Sequence, residues 1–153
     1  MLISNEWLKD YVNVDQSVQA LAERITRTGI EVDDIIDYTK DIKNLVVGHV
    51  LSKTPHPNAD KLNICQVDLG EEEPVQIVCG APNVDEGQHV IVAKVGGRLP
   101  GGIKIKRAKL RGERSEGMIC SLQEIGISSH VTPKNFESGI YVFPEAVKPG
   151  TDA

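Results

Sequence analysis

The sequence predicts a mainly β chain, a small barrel or sandwich with an α/β N-terminal part. After Leu45 the texture is short β-branched runs separated by Gly, Pro, Asn and Asp, while helical periodicity is confined to roughly the first forty residues. Hydrophobic content of 40% and charged content of 25% over 153 residues match an ordinary soluble domain, or one domain plus a partial neighbour, with enough apolar material for a core.

The elements follow in order. A short helix is predicted over Asn5 to Tyr11, with Ser4 as N-cap and Trp7, Leu8 and Tyr11 at helical spacing; the aromatic pair reads most simply as core packing. A second helix runs from about Gln16 to Thr28. Asp15 caps it, Val18, Leu21, Ala22 and Ile25 share one face, and Gly29 sits where a left-handed residue stops it. Ile30, Val32, Ile35 and Ile36 then read as a strand interrupted by Asp33 and Asp34.

VVGHVLS, LNICQVDLG, VQIVCG, HVIVAKV and IKIKRAKL are five candidate strands, and GIYVFP is a late sixth. GEEEP reads as an exposed acidic hairpin tip, and GAPNVDEGQ as a longer connection broken by Gly80 and Pro82. In IKIKRAKL, Ile103 and Ile105 alternate with Lys104 and Lys106, and continuing that period would drive Arg107 inward. A bulge or bend near Lys106 and Arg107 resolves the conflict, after which Ala108 and Leu110 point in while Arg107, Lys109 and Arg111 point out.

Charge is unevenly spread. Lys94 to Arg114 holds eight of the seventeen basic residues and one acid, Glu113, a local +7; with a formal total of −5, the rest of the chain carries −12. A polarised molecule of this kind has an electrostatic face suited to a polyanion, with a plain solvated surface as the structural alternative.

Other chemistries find little support. No apolar run approaches the ~18 residues that span a bilayer, and the first residues lack the pattern of a secretion signal, so a cytosolic location is expected. Cys65, Cys79 and Cys120 are widely spaced with no C-x-x-C pair, and the four histidines are scattered, so neither a disulfide framework nor a metal site is expected. In GGRLPGGIK, Gly97 and Gly102 have the outer spacing of a phosphate-binding loop, but Ile103 stands where Lys is needed; Arg98 and its glycines read as a hairpin tip. No catalytic centre is expected. Between Lys40 and Asn135 there is no Phe, Tyr or Trp, which disfavours base stacking and leaves cations and backbone amides reading phosphates and the shape of a folded RNA.

Two compact motifs remain. HPNADKL, residues 56 to 62, has the Pro, Asn and Asp of a turn, and its place between the first two strands also gives His56, Asn58 and Lys61 a possible role on a nucleic-acid face. LRGERSEGMICSLQEIG joins an Arg-bearing glycine turn to a helical turn: Ser121 and Glu124 have capping-box spacing and Gly126 can end it. Exposed amides there beside Arg111 and Arg114 suit phosphate, and a structural cap on the barrel suits the same residues.

HPNADKLNICQVDLG, VCGAPNV and KLRGERSEGMICS together resemble the tRNA-binding OB domain shared by free-standing tRNA-binding proteins and appended domains of methionyl-tRNA synthetases. NEWLKDYVNVD followed by ERITRTGIEVDDI resembles the start of the bacterial phenylalanine-tRNA ligase β subunit, in the order that family uses. The resemblance implies a five-stranded OB barrel over residues 40–148, inserted in a small, incomplete α+β domain formed by residues 1–39, with 149–153 returning into it. It also implies an (αβ)₂ ligase in which this chain has no catalytic residues of its own. ATP and Mg²⁺ would be used by the α subunit, and the partners would be tRNA, the α subunit and further β-subunit domains. By resemblance, tRNA contact falls on His56, Asn58, Lys61, Asn83, Arg111, Gly112 and Ser115. The adjacent basic residues Arg98, Lys104, Lys106, Arg107, Lys109 and Arg114 extend that surface.

Overall fold

The computed structural model describes all 153 residues as two compact units, Met1–Asp37 and Tyr38–Ala153. In the first unit α1 (Asn5–Lys9) and α2 (Val18–Arg27) each begin at a serine: Ser4 Oγ accepts from the Trp7 N–H at 3.3 Å and Ser17 Oγ from the Ala20 N–H at 3.2 Å. The cap of α2 is thus Ser17, not the expected Asp15. Gly29, at φ 102°, follows the last turn as expected.

Two expectations for this unit fail. Trp7 and Tyr11 do meet edge to face at 5.5 Å, but they are 59% and 70% exposed, on the surface and not in a core. The predicted strand through Ile30 and Ile36 is absent. Side chains take the backbone donors a ladder would need: Thr26 Oγ1 accepts from the Val32 N–H and Asp34 Oδ1 from the Ile35 N–H.

The second unit is a nearly closed five-stranded antiparallel barrel, as predicted. β1 (Lys43–Pro55) is its long member, pairing with β2 (Asn63–Asp68) along its second half and with β4 (His89–Leu99) along its first. β3 (Val75–Cys79) pairs with β2, and β8 (Gly117–Ile119) with β4. Closure comes where the chain before β8 reaches β3: the Glu116 N–H donates to Gln76 O at 2.9 Å, and the Val78 N–H to Ser115 Oγ at 3.1 Å. Side chains of β2 and β4 close over Gly48 of β1: a Cβ there would lie 2.7 Å from both Val67 and Val92, so the position admits no side chain.

The predicted strand from Ile103 to Leu110 is divided. β5 (Ile103–Lys104) pairs with the end of β4; the ladder breaks at residues 105–107, around the Lys106 and Arg107 where the conflict of periods placed a bulge or bend; β6 (Ala108–Leu110) then pairs only with β7 (Glu113–Ser115). Because this hairpin lies outside the barrel sheet, Ala108 and Leu110 are exposed, contrary to expectation, and Ile103 is 53% exposed; only Ile105 is buried. GIYVFP contributes one isolated bridge, Val90 to Val142, not a strand.

The core has two compartments. Val50, Val67, Ile77, Val90, Val92 and Ile119 fill the barrel, while Leu45, Ile91, Ala93, Leu99 and Cys120 pack under a second layer made by Leu122, Phe136, Tyr141 and Phe143. β4 is therefore apolar on both faces, which is why HVIVA has no polar alternation. The capping box forms as a turn and not a helix: Ser121 N–H donates to Glu124 Oε2 at 2.7 Å and Glu124 N–H to Ser121 Oγ at 3.2 Å. Residues 149–153 run beside β1, with Gly150 N–H donating to Val47 O and Val47 N–H to Thr151 O, both at 2.8 Å.

Candidate nucleic-acid interface

The HPNADKL loop is fastened to the β6–β7 hairpin by two side chains. His56 is 5% exposed; its Nδ1 lies 3.0 Å from the Asn58 N–H and its Nε2 2.9 Å from Leu110 O. Because Asn58 N–H can only donate, Nδ1 must accept, so the proton sits on Nε2 and is given to the carbonyl. Asn58 Nδ2 donates to Arg111 O at 3.4 Å. At these carbonyls Arg111 and Gly112 both have positive φ, 48° and 99°, the two-residue turn whose twist suits a hairpin. A left-handed arginine costs on the order of 1 kcal/mol, and the clamp holds it there with its guanidinium at the tip, exposed.

The other side of the hairpin is tied to β3. Gln76 Nε2 donates to Arg114 O at 2.9 Å and to Glu113 Oε2 at 3.3 Å, while Gln66 Nε2 reaches Gln76 Oε1 at 3.4 Å. These amides floor an open groove of about 500 Å³ walled by Lys109, Gly112, Glu113 and Arg114. The groove is polar and carries charges of both signs.

The thirteen residues singled out from sequence divide by what they do. His56, Asn58, Gly112 and Ser115 shape the hairpin and its junction; Ser115 Oγ, buried, accepts from Val78 N–H and donates to Gly117 O. Asn83 stands apart and brackets Ile140, accepting from its N–H at 2.9 Å and donating to its carbonyl at 2.8 Å. Lys61, Arg98, Lys104, Lys106, Lys109, Arg111 and Arg114 are exposed and join no ion pair, whereas Arg107 Nε lies 3.4 Å from Glu116. Arg98 and Lys104 face each other across β4 and β5, away from the hairpin ladder.

Sequence reasoning missed Gln66 and Gln76. The glutamines had a signal, since they are the polar outward positions in NICQVD and VQIVC. Elsewhere on the barrel the rings of His49 and His89 stack at 4.5 Å, and burial first, then His49, lowers the His89 pKa. Burial also raises the thiols, Cys65 to about 11 and Cys120 to about 12, which leaves them protonated and unreactive. No three or more His, Cys, Asp or Glu come together as a metal site would need.

A family model described as a putative tRNA binding domain matches residues 45–152. The chain is 99% identical over all 153 residues to the phenylalanine–tRNA ligase beta subunit of Staphylococcus epidermidis strain ATCC 12228, and 84% identical to that of Staphylococcus aureus strain USA300. It spans 19% of the length of each of these curated relatives. Among solved structures, a MetRS related protein from Pyrococcus horikoshii aligns with 81% of this chain and 99% of its own at 22% identity and a TM-score of 0.51, a likeness of fold.

Proposed function

The chain belongs to the putative tRNA-binding domain family, and from that premise we propose that it is the tRNA-binding region of a phenylalanine-tRNA ligase β subunit, gripping structured RNA through its phosphates. The observation that carries this is the exposure of seven cations, from Lys61 to Arg114, with no carboxylate partner on a chain whose formal charge is −5. Arg111, held left-handed at the hairpin tip, and Lys109 and Arg114 beside it form the first point of contact. His56, Asn58 and Ser115 act by holding these cations in place.

The near-identity to the Staphylococcus subunits supports the wider reading. In it the chain joins an α subunit and further β-subunit domains in a cytoplasmic (αβ)₂ ligase. ATP and Mg²⁺ serve amino-acid activation in the α subunit; the residues of this chain form no acid cluster fitted to Mg²⁺, and no step passes through it here. The barrel sits as an insert between residues 1–39 and the chain beyond residue 148. Ala153 N–H donating to Leu45 O at 3.3 Å supports that arrangement, since entry and exit of the barrel lie side by side.

Titration of tRNA into the chain at several salt concentrations tests the reading. Each duplex phosphate contacted adds about −0.9 to the slope of log K against log salt, and Lys109→Glu, Arg111→Glu and Arg114→Glu together should remove most of the affinity. Binding no tighter than that of heparin at matched anion concentration would mean a charged surface with no RNA function.

A further inference from the structure

We infer that Lys43, Arg98 and Lys104 form a second RNA surface on this chain, a line of three cations along which a sugar–phosphate backbone passes. In the antiparallel ladder Lys43 is the Cα partner of Arg98, and Arg98 is the partner of Lys104. Paired residues project to the same face with Cβ atoms roughly 5 Å apart, and like charges so placed repel. All three are exposed, and no carboxylate relieves them: the ion pairs of the barrel use Lys53, Lys94 and Arg107 instead.

Regular pairing would not bring Lys43 to Arg98. Between Lys43↔Arg98 and Leu45↔Ala93 the register shifts, so that one intervening residue of β1 faces four of β4. Three backbone features accommodate the shift. Asn44 adopts φ 57°, Gly96 adopts φ 85°, and Gly97 packs so closely that a Cβ would lie 2.8 Å from Lys94 O and 2.9 Å from Lys43 O. The arm is then locked by Gly96 N–H donating to Ile105 O at 2.8 Å and Ile105 N–H to Gly97 O at 2.9 Å. A left-handed asparagine and a glycine with no room for a side chain thus maintain an arrangement that is repulsive in the free protein. A polyanion turns that repulsion into attraction. The three charges form a line and not a pocket, which suits a chain of phosphates better than one small anion, and charge of a single sign is unlike the charge-depleted centre of a protein interface.

This inference rests on the tRNA reading above, and two variants of the 153-residue chain separate them. With Lys43→Gln, Arg98→Gln and Lys104→Gln, loss of three contacts should flatten the log K against log salt slope by about 2.7, so that raising salt from 50 to 200 mM weakens binding about 40-fold less than in the parent. The melting midpoint should stay or rise, because like charges have been removed. The charge-keeping set Lys43→Arg, Arg98→Lys and Lys104→Arg should retain the parent slope. An unchanged slope in the glutamine variant, with binding lost in the Lys109, Arg111 and Arg114 variant, would sink the second surface and leave the tRNA reading intact; the row would then serve another partner, such as an acidic protein. If neither variant alters tRNA binding, both readings fall. Loss of slope in the charge-keeping set would also overturn the proposal.

Discussion

The N-terminal unit and the barrel are written with the same local signals and reach opposite degrees of burial. Ser4 and Ser17 cap helices as Ser121 caps its turn, and Leu21 and Ile25 repeat on α2 as regularly as Val90 and Val92 repeat on β4. Yet α1 and α2 contain no buried residue, and Leu8, Leu21 and Ile25 line an open cleft of about 270 Å³, whereas Val50, Val67, Ile77, Val90 and Val92 are fully buried. Capping and periodicity are satisfied within a few residues. Burial needs partners remote in sequence, which the barrel finds through its ladders and the helices largely do not. At ten residues α2 is below the ~12–15 at which an isolated helix holds in water, so its persistence depends on what little packing it has.

Amide exchange should expose the contrast most strongly. Openings range from nearly zero up to the global ~5–15 kcal/mol, so amides from Ala20 to Ile25 should exchange more than about 100-fold faster than those of Val75 to Val78 and Val90 to Ala93. Equal protection in a monomeric chain would erase the distinction. Gly48→Val sharpens it from the barrel side. With 2.7 Å approaches to Val67 and Val92, the overpacking should cost about 3 kcal/mol or more, read as a lower denaturation midpoint, while exchange in α2 stays as it was.

The smallest effect is one of pH. The His89 imidazole titrates below its ordinary value because of burial and then the neighbouring His49 ring. The unfolded chain therefore takes up that proton first, as pH falls through about 6.5. Its contribution to barrel stability is full above that pH and is lost as pH falls toward the folded value. His89→Gln should flatten the pH dependence of the midpoint between pH 7 and 5. Asp85, lowered by the Glu86 N–H and then Lys53, adds its own loss only at more acid pH.

What the sequence revealed follows the same division. β1 to β4 were legible because continuous apolar runs such as VQIVC and HVIVA have few alternatives to a buried strand. β7 and β8 were not, because ERS and GMI are three-residue stretches whose pairing, with β6 and β4, is too short to leave a pattern. Leu110 looked like a core residue by alternation, and only the hairpin's departure from the barrel explains its exposure. At the candidate interface, clustering made the cations visible and the turn residues His56 and Asn58 stood out. Their job as clamps on carbonyls more than fifty positions away could not be read from spacing. Lys43 lay hidden because its neighbours depend on a register shift.

The strip of backbone from Gly150 to Ala153 along β1 has a bearing on solubility. β1 is paired to β4 from Lys43 to His49 and to β2 only from His49 onward, which leaves its first half with one flank unpaired. An open flank of this kind is a template for strand addition by another molecule, the usual first step toward aggregates. The Val47 N–H and carbonyl and the Leu45 carbonyl on that flank are instead occupied by Thr151, Gly150 and Ala153. Residues 150–153 thus act as a guard strand beside the barrel, and a chain cut before Pro149 would offer apolar β1 to its neighbours in solution.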